Sequence, residues 1–284
     1  MRPILSIMFF LAAGIQACSP LHLLNNFVPG NSYTTTNNIS YGQHTRQQLD
    51  IYTAANKTCS NCPVLVFFHG GAWHTGEKEE YKFLGEAFAS EGFIVVIPGF
   101  RLYPEVQFPV FIEDAAQSIR WVRDNITRYG GNPDNINLMG HSSGAHITMM
   151  LLFDQHYFKD GNVPRTSIKS AIGLAGPYDF LPANEKLIVN IFSTAAPPEM
   201  GEPMHFVSNT GVPVLLATGL EDRRVNPDNS LKLAKKLRQE NAKVKLITYP
   251  ETGHSGILLS LSKPLRHLSP AFADSLAFIR ESSR

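Results

Sequence analysis

The sequence predicts an α/β fold in which a mostly parallel central sheet is flanked by helices. Apolar strand-like runs alternate with helical patterns along the chain, and one such run leads through a glycine-bounded turn into a helix. The 284 residues, 43% of them hydrophobic, suffice for one large domain with a sizeable core. A formal net charge of +1 gives no electrostatic basis for binding nucleic acid.

The first 17 residues, 1–17, have the pattern of a signal peptide. Arg2 gives a positive start, residues 4–15 are almost entirely apolar, and Ala17 is a small residue near a cleavage point. The apolar stretch is too short for a comfortable membrane span. Its end also resembles a bacterial lipobox, with Cys18 as the lipidated first residue. A lipid tether at Cys18, simple secretion and an uncleaved anchor remain open, and the expected location is secreted or in the cell envelope.

Residues 18–38 are expected to form a polar tether, because they contain proline, glycine and a Thr/Asn cluster and show little periodicity. The α/β domain then occupies residues 39–284. An alternating strand at residues 49–52 is expected to pair with a preceding strand near 39–42. This pair would open the sheet with an antiparallel edge.

The remaining elements follow from the hydrophobic pattern. Continuous apolar runs predict strands buried on both faces at residues 64–68 and 93–97. Further strands are predicted at residues 136–139, 171–175, 212–218 and 244–249. Amphipathic or apolar helical patterns predict helices, at residues 79–90, 109–128, 145–152, 230–241 and 270–282. Residues 181–209 break the alternation, with a short helical pattern followed by a Pro-Pro pair. We interpret this stretch as a small lid, the alternative being a long surface loop.

Cys59 and Cys62 stand just before the first buried strand. A redox motif would be expected at a helix N-terminus, and zinc would need more ligands than this cluster offers. The two interpretations that remain are a local disulfide in an oxidising compartment and a pair of free thiols. No cluster in the sequence has metal-ligand spacing, so neither a metal nor another cofactor is implied.

The glycine-bounded turn is Gly140-His141-Ser142-Ser143-Gly144, between an apolar strand and a helix. A strand, a sharp Gly-x-Ser-x-Gly turn and a helix form a nucleophile elbow. The turn holds the central serine in a strained conformation that exposes its Oγ, and small neighbours leave room for the close approach. Ser142 is therefore the expected nucleophile.

A serine hydroxyl needs a base to take its proton, and that base is oriented by a carboxylate. With a nucleophile elbow, the chain order is serine, acid, histidine. Asp222 follows the strand at 212–218, with Glu221 as its direct competitor. His254 follows the last strand, with His267 as the competitor. We expect Asp222 and His254 to complete the triad.

The oxyanion of a tetrahedral intermediate needs backbone N–H donors. One is expected from Ser143, which directly follows the nucleophile. The others are expected from Gly70, Gly71 and Ala72, which follow His69 at the end of the strand at 64–68. Glycine leaves space for amides to turn into the site.

Taken together, these motifs resemble the α/β-hydrolase serine esterases of the hormone-sensitive-lipase and carboxylesterase group. The resemblance spans about residues 40–280 and includes His69-Gly70-Gly71, the block at residues 100–105 and the run at 129–144. Parts of the sequence are also similar to feruloyl/acetyl-xylan esterases, prenylcysteine methylesterases and kynurenine formamidases. The resemblance implies that Arg101 and Asp114 tie loops near the site. The family often has Tyr where this chain has Phe100.

The implied function is a serine carboxylic-ester hydrolase that acts on a small-molecule ester through an acyl-enzyme. Two alternatives remain open at the level of sequence. One is a formamidase, amidase or peptidase on the same triad. The other is a non-catalytic binding protein, because a fold alone does not prove activity.

Overall fold

The computed structural model describes residues 20–55 and 59–283. The expected signal peptide, residues 1–17, and the expected lipidation site, Cys18, lie outside this part of the chain, so both stay predictions. Within it, no helix has the length and apolar character needed to cross a membrane.

Eight strands form one sheet in the spatial order β1-β2-β4-β3-β5-β6-β7-β8. The pairs from β4 to β8 are parallel, whereas β2 pairs antiparallel with both β1 and β4. The sheet is therefore mostly parallel with an antiparallel edge, as predicted. In chain order the strands are β1 (Tyr33–Ser40), β2 (Gln48–Ala54), β3 (Cys62–Phe68), β4 (Ile94–Pro98), β5 (Gly131–His141), β6 (Ile168–Leu174), β7 (Val214–Gly219) and β8 (Val244–Tyr249).

Helices cover both faces of the sheet. Side chains of α3, α4 and α7 join one buried cluster, and those of α2, α8 and α9 join the other. The α-helices are α1 (Pro20–Asn25), α2 (Lys82–Ala89), α3 (Val110–Asn125), α4 (Ser143–Phe153), α5 (Gln155–Asp160), α6 (Lys186–Ile191), α7 (Asp228–Gln239), α8 (His254–Leu259) and α9 (Ala271–Ser282). The helix expected at 79–90 is a 3₁₀ turn, Lys78–Tyr81, followed by α2.

Strand β3 shows why a continuous apolar run marks a central strand. Successive side chains point to opposite faces of the sheet. Val64, Val66 and Phe68 accordingly enter one buried cluster, and Leu65 and Phe67 enter the other. Both faces of the strand are thus shielded from water, which favours apolar residues at every position.

The expected tether at residues 18–38 is wrong for its described part. Helix α1 packs on the domain, where Leu24 is buried. The Asn25 amide donates to Glu79 O at 2.8 Å, and its Oδ1 accepts from the backbone N–H of Phe83 at 3.1 Å. Strand β1 then starts at Tyr33, within the polar Thr/Asn cluster. Exposed edge strands tolerate such residues, so polarity alone did not distinguish the strand from a tether.

Residues 181–209, which we call the cap segment, connect β6 to β7. They contain α6 and two 3₁₀ turns, Pro198–Gly201 and Pro203–Phe206. Backbone contacts join the segment to the chain before α3: Phe108 N–H donates to Ile191 O at 2.9 Å. The segment is therefore built from short helices, and its role as a lid stays a prediction. Near β3, Cys59 and Cys62 form the disulfide that was one of the two sequence-based interpretations.

Candidate active site

Ser142 lies between the end of β5 and the start of α4, with φ 56° and ψ −124°. Its N–H donates to Leu174 O at 2.9 Å on the neighbouring strand β6, which fixes the turn. A Cβ on Gly140 would lie 2.1 Å from Gly144 O, and one on Gly144 would lie 2.0 Å from Phe68 O. Only glycine fits at either position. The residue types of the pentapeptide follow from this close packing, as the sequence predicted.

The structure brings Ser142, His254 and Asp222 together. Ser142 Oγ and His254 Nε2 are 2.9 Å apart, and His254 Nδ1 and Asp222 Oδ2 are 2.6 Å apart. The geometry suits a neutral imidazole whose Nδ1–H donates to the carboxylate and whose Nε2 accepts from the hydroxyl. His254 opens α8 directly after the strand β8 loop, and Asp222 lies just beyond β7.

Asp222 is held as a buried carboxylate. Its other oxygen, Oδ1, accepts from the backbone N–H groups of Arg224 and Val225 at 2.8 and 2.9 Å. Burial by itself raises the pKa of this carboxyl, but the hydrogen bonds from His254 and from these amides outweigh it and lower the pKa below its usual value. The competitor Glu221 is exposed, so the histidine meets Asp222 instead.

The loop after β3 provides backbone donors on the other side of Ser142. Gly71 has φ 124°, and Ala72 and Trp73 have φ 49° and 58°, conformations in which non-glycine residues carry strain. Within the described chain, the N–H groups of Gly71, Ala72 and Ser143 donate to no protein acceptor. The three N–H groups are therefore available to an oxyanion. Gly70 lines the same cleft, and its carbonyl accepts from His69 Nδ1 at 2.7 Å.

A chain of side-chain hydrogen bonds supports this strained loop, and sequence reasoning missed it. Trp73 Nε1–H donates to His146 Nδ1 at 3.3 Å, and His146 Nε2–H donates to Gly201 O at 2.9 Å. His146 is thereby fixed as one neutral tautomer. Burial lowers its pKa to about 4. These two hydrogen bonds link the loop after β3, helix α4 and the cap segment. The only signal in the sequence was an otherwise unexplained histidine on an apolar helix.

His141, the residue before Ser142, packs against His254 and hydrogen-bonds to it. Its Nε2–H donates to the backbone carbonyl of His254 at 3.1 Å, and the two rings lie 4.7 Å apart. Burial, with the adjacent His254 ring, lowers the pKa of His141 to about 3. A neutral His141 thus positions the backbone of His254 without adding a charge beside it.

The pair implied by the family resemblance is structural. Arg101 Nη2 and Nε donate to the buried carboxylate of Asp114 at 2.6 and 2.9 Å, and Gln47 Nε2 donates to the same group at 2.7 Å. The pair joins the loop before α3 to that helix. Phe100, where the family often has Tyr, stacks on His69 with ring centroids 4.3 Å apart.

The serine opens into a cleft of about 1010 Å³. One wall is the loop after β3, and others come from the start of the cap segment, the loop after Asp222 and α8. The described residues contain no group of three or more His, Cys, Asp or Glu side chains that could hold a metal ion. A site with this geometry can hold an acyl group beside a serine hydroxyl that is hydrogen-bonded to a histidine.

Several known proteins are similar to this chain in sequence. Probable isoprenylcysteine alpha-carbonyl methylesterase ICMEL1 of Arabidopsis thaliana is 30% identical over 243 residues, which cover 78% of this chain and 51% of that protein. The chain thus spans about half the length of that relative. Kynurenine formamidase of Salmo salar is 27% identical, with 82% of this chain and 79% of that protein covered.

A solved structure described as a truncated carbohydrate esterase from gut microbiota has the same fold. Its TM-score is 0.78 at 20% identity, covering 90% of this chain and 98% of that one. The expected α/β-hydrolase fold is therefore confirmed. The model of the BD-FAE family matches residues 49–237, which is most of the domain described above. The chain belongs to the BD-FAE family.

Proposed function

We propose that the protein is a serine carboxylic-ester hydrolase that works through Ser142, His254 and Asp222 by way of an acyl-enzyme. One observation carries the proposal: a continuous hydrogen-bonded line runs from Ser142 Oγ through His254 to a buried carboxylate. Such a line lets the imidazole take the serine proton while the carboxylate stabilises the resulting cation. The esterase and methylesterase names of its relatives agree with ester hydrolysis.

In the first half-reaction, Ser142 Oγ forms a bond to the ester carbonyl carbon as its proton passes to His254 Nε2. The π electrons of the carbonyl move onto its oxygen, where the N–H groups of Gly71, Ala72 and Ser143 receive the negative charge. The carbonyl then re-forms, and the bond to the alcohol oxygen breaks. The leaving oxygen takes the proton from His254.

In the second half-reaction, water adds to the acyl-enzyme. His254 Nε2 removes a proton from the water as its oxygen bonds to the acyl carbon, and the same N–H groups stabilise the oxyanion. Collapse breaks the bond to Ser142 Oγ, which recovers its proton from His254. The acid leaves, and the enzyme returns to its starting state.

Ser142→Ala tests the proposal. Removing the nucleophile is expected to lower kcat on short p-nitrophenyl esters by about 10⁵- to 10⁶-fold, as serine removal does in other triads. Ser60→Ala, at an exposed position that precedes β3 and does not line the cleft, is the control and keeps activity within about threefold. Both variants should retain the circular dichroism of the native protein. Undiminished turnover by purified Ser142→Ala would refute the proposed nucleophile.

A second pair of variants tests which acid orients the histidine. Asp222→Asn is expected to lower kcat by about 10⁴-fold, because the wrong imidazole tautomer is then stabilised. Glu221→Gln removes the adjacent exposed carboxylate and should change kcat by less than about twofold. If the two losses were reversed, Glu221 would be the acid.

A formamidase is the second candidate, because the similarity to kynurenine formamidase covers most of that protein. Both reactions use the same acyl transfer, so the site geometry favours neither. A panel of esters, N-formylkynurenine and aminoacyl amides distinguishes them by kcat/KM. A fluorophosphonate probe that failed to label Ser142 would favour a non-catalytic binding protein instead.

We further propose that residues 1–17 direct the protein out of the cytoplasm, either lipidated at Cys18 or secreted. Mass spectrometry of the protein from its own host decides between them. An acyl-modified N-terminal Cys18 indicates a lipid anchor.

A further inference from the structure

The exposed large apolar side chains of the described residues are concentrated at one edge of the molecule. The largest exposures are those of Phe27, at 73%, and Leu23, at 58%. All six lie on segments at the edge of the sheet formed by the carboxyl ends of β3 to β8, the edge that holds Ser142. They are Leu23, Phe27, Val189, Leu220, Leu231 and Leu268.

On the β7–β8 side, Leu220 directly follows the last residue of β7. Leu231 lies in the first turns of α7, which starts at the same edge. Leu268 is held there because its carbonyl accepts from Thr252 Oγ1 at 3.3 Å, two residues before His254. These side chains therefore stand around the elements that carry the acid and the base.

On the opposite side, α1 packs at the amino end of α2 through Asn25. Leu21 of this helix lines the active-site cleft, and Leu24 is buried against the domain. Leu23 and Phe27 point away from that contact and into solvent. Val189 of the cap segment is also exposed, next to Ile188, which lines the cleft.

Charges at the cleft mouth are of both signs. Arg223 and Arg224 are exposed and, among the described residues, neither guanidinium forms an ion pair. Glu221 is exposed in the same loop, and Glu185, exposed in the cap segment, lines the same cleft. An apolar rim with balanced charge suits a zwitterionic surface better than a strongly anionic one.

We propose that this rim, the six apolar side chains named above, docks the protein on a lipid surface with the cleft mouth facing the lipid. Such a surface buries the rim and leaves the cleft open to amphiphilic molecules, whereas a second copy seated on the rim would close the cleft. The sequence adds a second argument. Only Ser19 separates Cys18, the proposed lipidation site, from the start of α1, so an acyl chain on Cys18 would be attached beside this rim.

One consequence concerns the substrate. A protein docked in this way would take esters directly from lipid or other aggregated amphiphiles. That consequence rests on the proposed ester hydrolysis, but the docking itself does not. The two can therefore fail separately.

The first experiment measures co-sedimentation with phosphatidylcholine vesicles. All proteins are the full chain carrying Cys18→Ala, so that no acyl chain is attached. Leu23→Glu with Phe27→Glu is expected to weaken partitioning by about tenfold or more, because two apolar side chains no longer enter the lipid. The matched control, Thr166→Glu with Gln239→Glu, adds the same charge at exposed positions on the opposite edge and should leave partitioning unchanged. Equal partitioning of all three proteins would overturn the proposal.

The second experiment reports orientation. An environment-sensitive fluorophore is attached at Leu220→Cys or Leu268→Cys, with Gln239→Cys as the control; Cys59 and Cys62 are already paired in a disulfide. Vesicles should shift the emission of the two rim probes to shorter wavelength and leave the control unshifted. Bound protein with unshifted rim probes would mean that residues 1–19 alone bind lipid, and would overturn the proposal.

Hydrolysis of a water-soluble ester, measured below its aggregation limit, separates the two claims. The Leu23→Glu and Phe27→Glu variant should retain that activity within about twofold. Docking without hydrolysis by the native chain would refute the esterase and leave the docking surface intact. Self-association that the same two substitutions abolish, with no vesicle binding, would identify a second copy as the partner and refute the lipid.

Discussion

The elbow carries Ser142, and the cap segment lines the cleft beside it. The two regions are held in place in opposite ways. The elbow is held by backbone contacts so close that Gly140 and Gly144 have no room for a Cβ. Besides the backbone hydrogen bond between Phe108 and Ile191, the cap segment is held by side chains from distant parts of the chain: Phe192 lies 4.8 Å from Trp73 and 5.4 Å from Phe108 between ring centroids. Backbone packing of the first kind demands particular residues at fixed spacing, whereas aromatic packing accepts many solutions.

Residues of the cap segment can therefore vary more than those of the elbow without a change in the geometry around Ser142. The atoms that form and break bonds in the proposed mechanism are placed by strand ends and glycine turns. The wall that meets the substrate is placed by a cluster of aromatic rings that could be repacked. The two are connected by one hydrogen-bonded chain, from Trp73 through His146 to Gly201.

Gly144→Ala should break the elbow and produce the largest effect. The new Cβ would lie 2.0 Å from Phe68 O and 2.5 Å from His69 O, and backbone cannot give way cheaply. The expected loss in the free energy of unfolding is about 5 kcal/mol, measured by urea denaturation. Gly30→Ala is the control, because nothing lies within 4 Å of its added Cβ, and it should change stability by less than about 0.5 kcal/mol. Similar stability of both variants would refute the close-packing argument.

Phe192→Ala should loosen the cap segment and leave the elbow intact. Removing a buried ring that contacts Trp73, Phe108 and Phe180 is expected to cost about 3–4 kcal/mol of unfolding free energy. Because the triad is carried by strand ends, the variant should still react with a fluorophosphonate at 15 °C while its KM for esters rises. Complete loss of labelling in a folded variant would show that the two regions are not separable.

Acid should weaken the connection between the regions. Burial lowers the pKa of His146 to about 4 from an ordinary value near 6.5, so the unfolded chain takes up the proton first. The stability that its neutral form contributes is complete above pH 6.5, is lost as pH falls towards 4, and changes no further below that. The loss is at most about 3 kcal/mol.

The measurement is the difference in unfolding free energy between the native chain and His146→Gln from pH 7 to pH 4. The difference should shrink as pH falls, because glutamine does not titrate. His69 and His141 are buried neutral histidines as well, with pKa values lowered to about 4 and about 3. They remain in both proteins, so their effect cancels. A constant difference across this range would contradict the neutral assignment of His146.

The same contrast explains what the sequence could predict. Strands such as β3 and β4 were predicted because continuous apolar runs reflect burial on both faces of the sheet. Ser142, Asp222 and His254 were predicted because each follows the end of a strand and the three come in a fixed chain order. In the structure, Asp222 rather than Glu221 contacts His254, because Asp222 is buried and two backbone N–H groups bind its carboxylate. These contacts are not visible in the local sequence pattern.

What the sequence could not predict depends on distant partners. Helix α1 and the first residues of β1 are polar or short, and only their contacts with α2 and β2 fold them. His146 had no partner within reach in the sequence, because Trp73 and Gly201 are 73 and 55 residues away. Such contacts join three separate segments and leave no periodic trace.

The strand order has a stereochemical consequence. In the proposed mechanism, the oxyanion donors follow β3, the nucleophile follows β5, and the acid and base follow β7 and β8 on the far side of the sheet. The carbonyl oxygen must therefore point towards β3 while the leaving oxygen points towards His254, so Ser142 reaches the ester from one prochiral face only. Mirror-image esters would place their substituents against different walls of the cleft. Under this mechanism, the strand order would thus set which enantiomer of a chiral ester fits better.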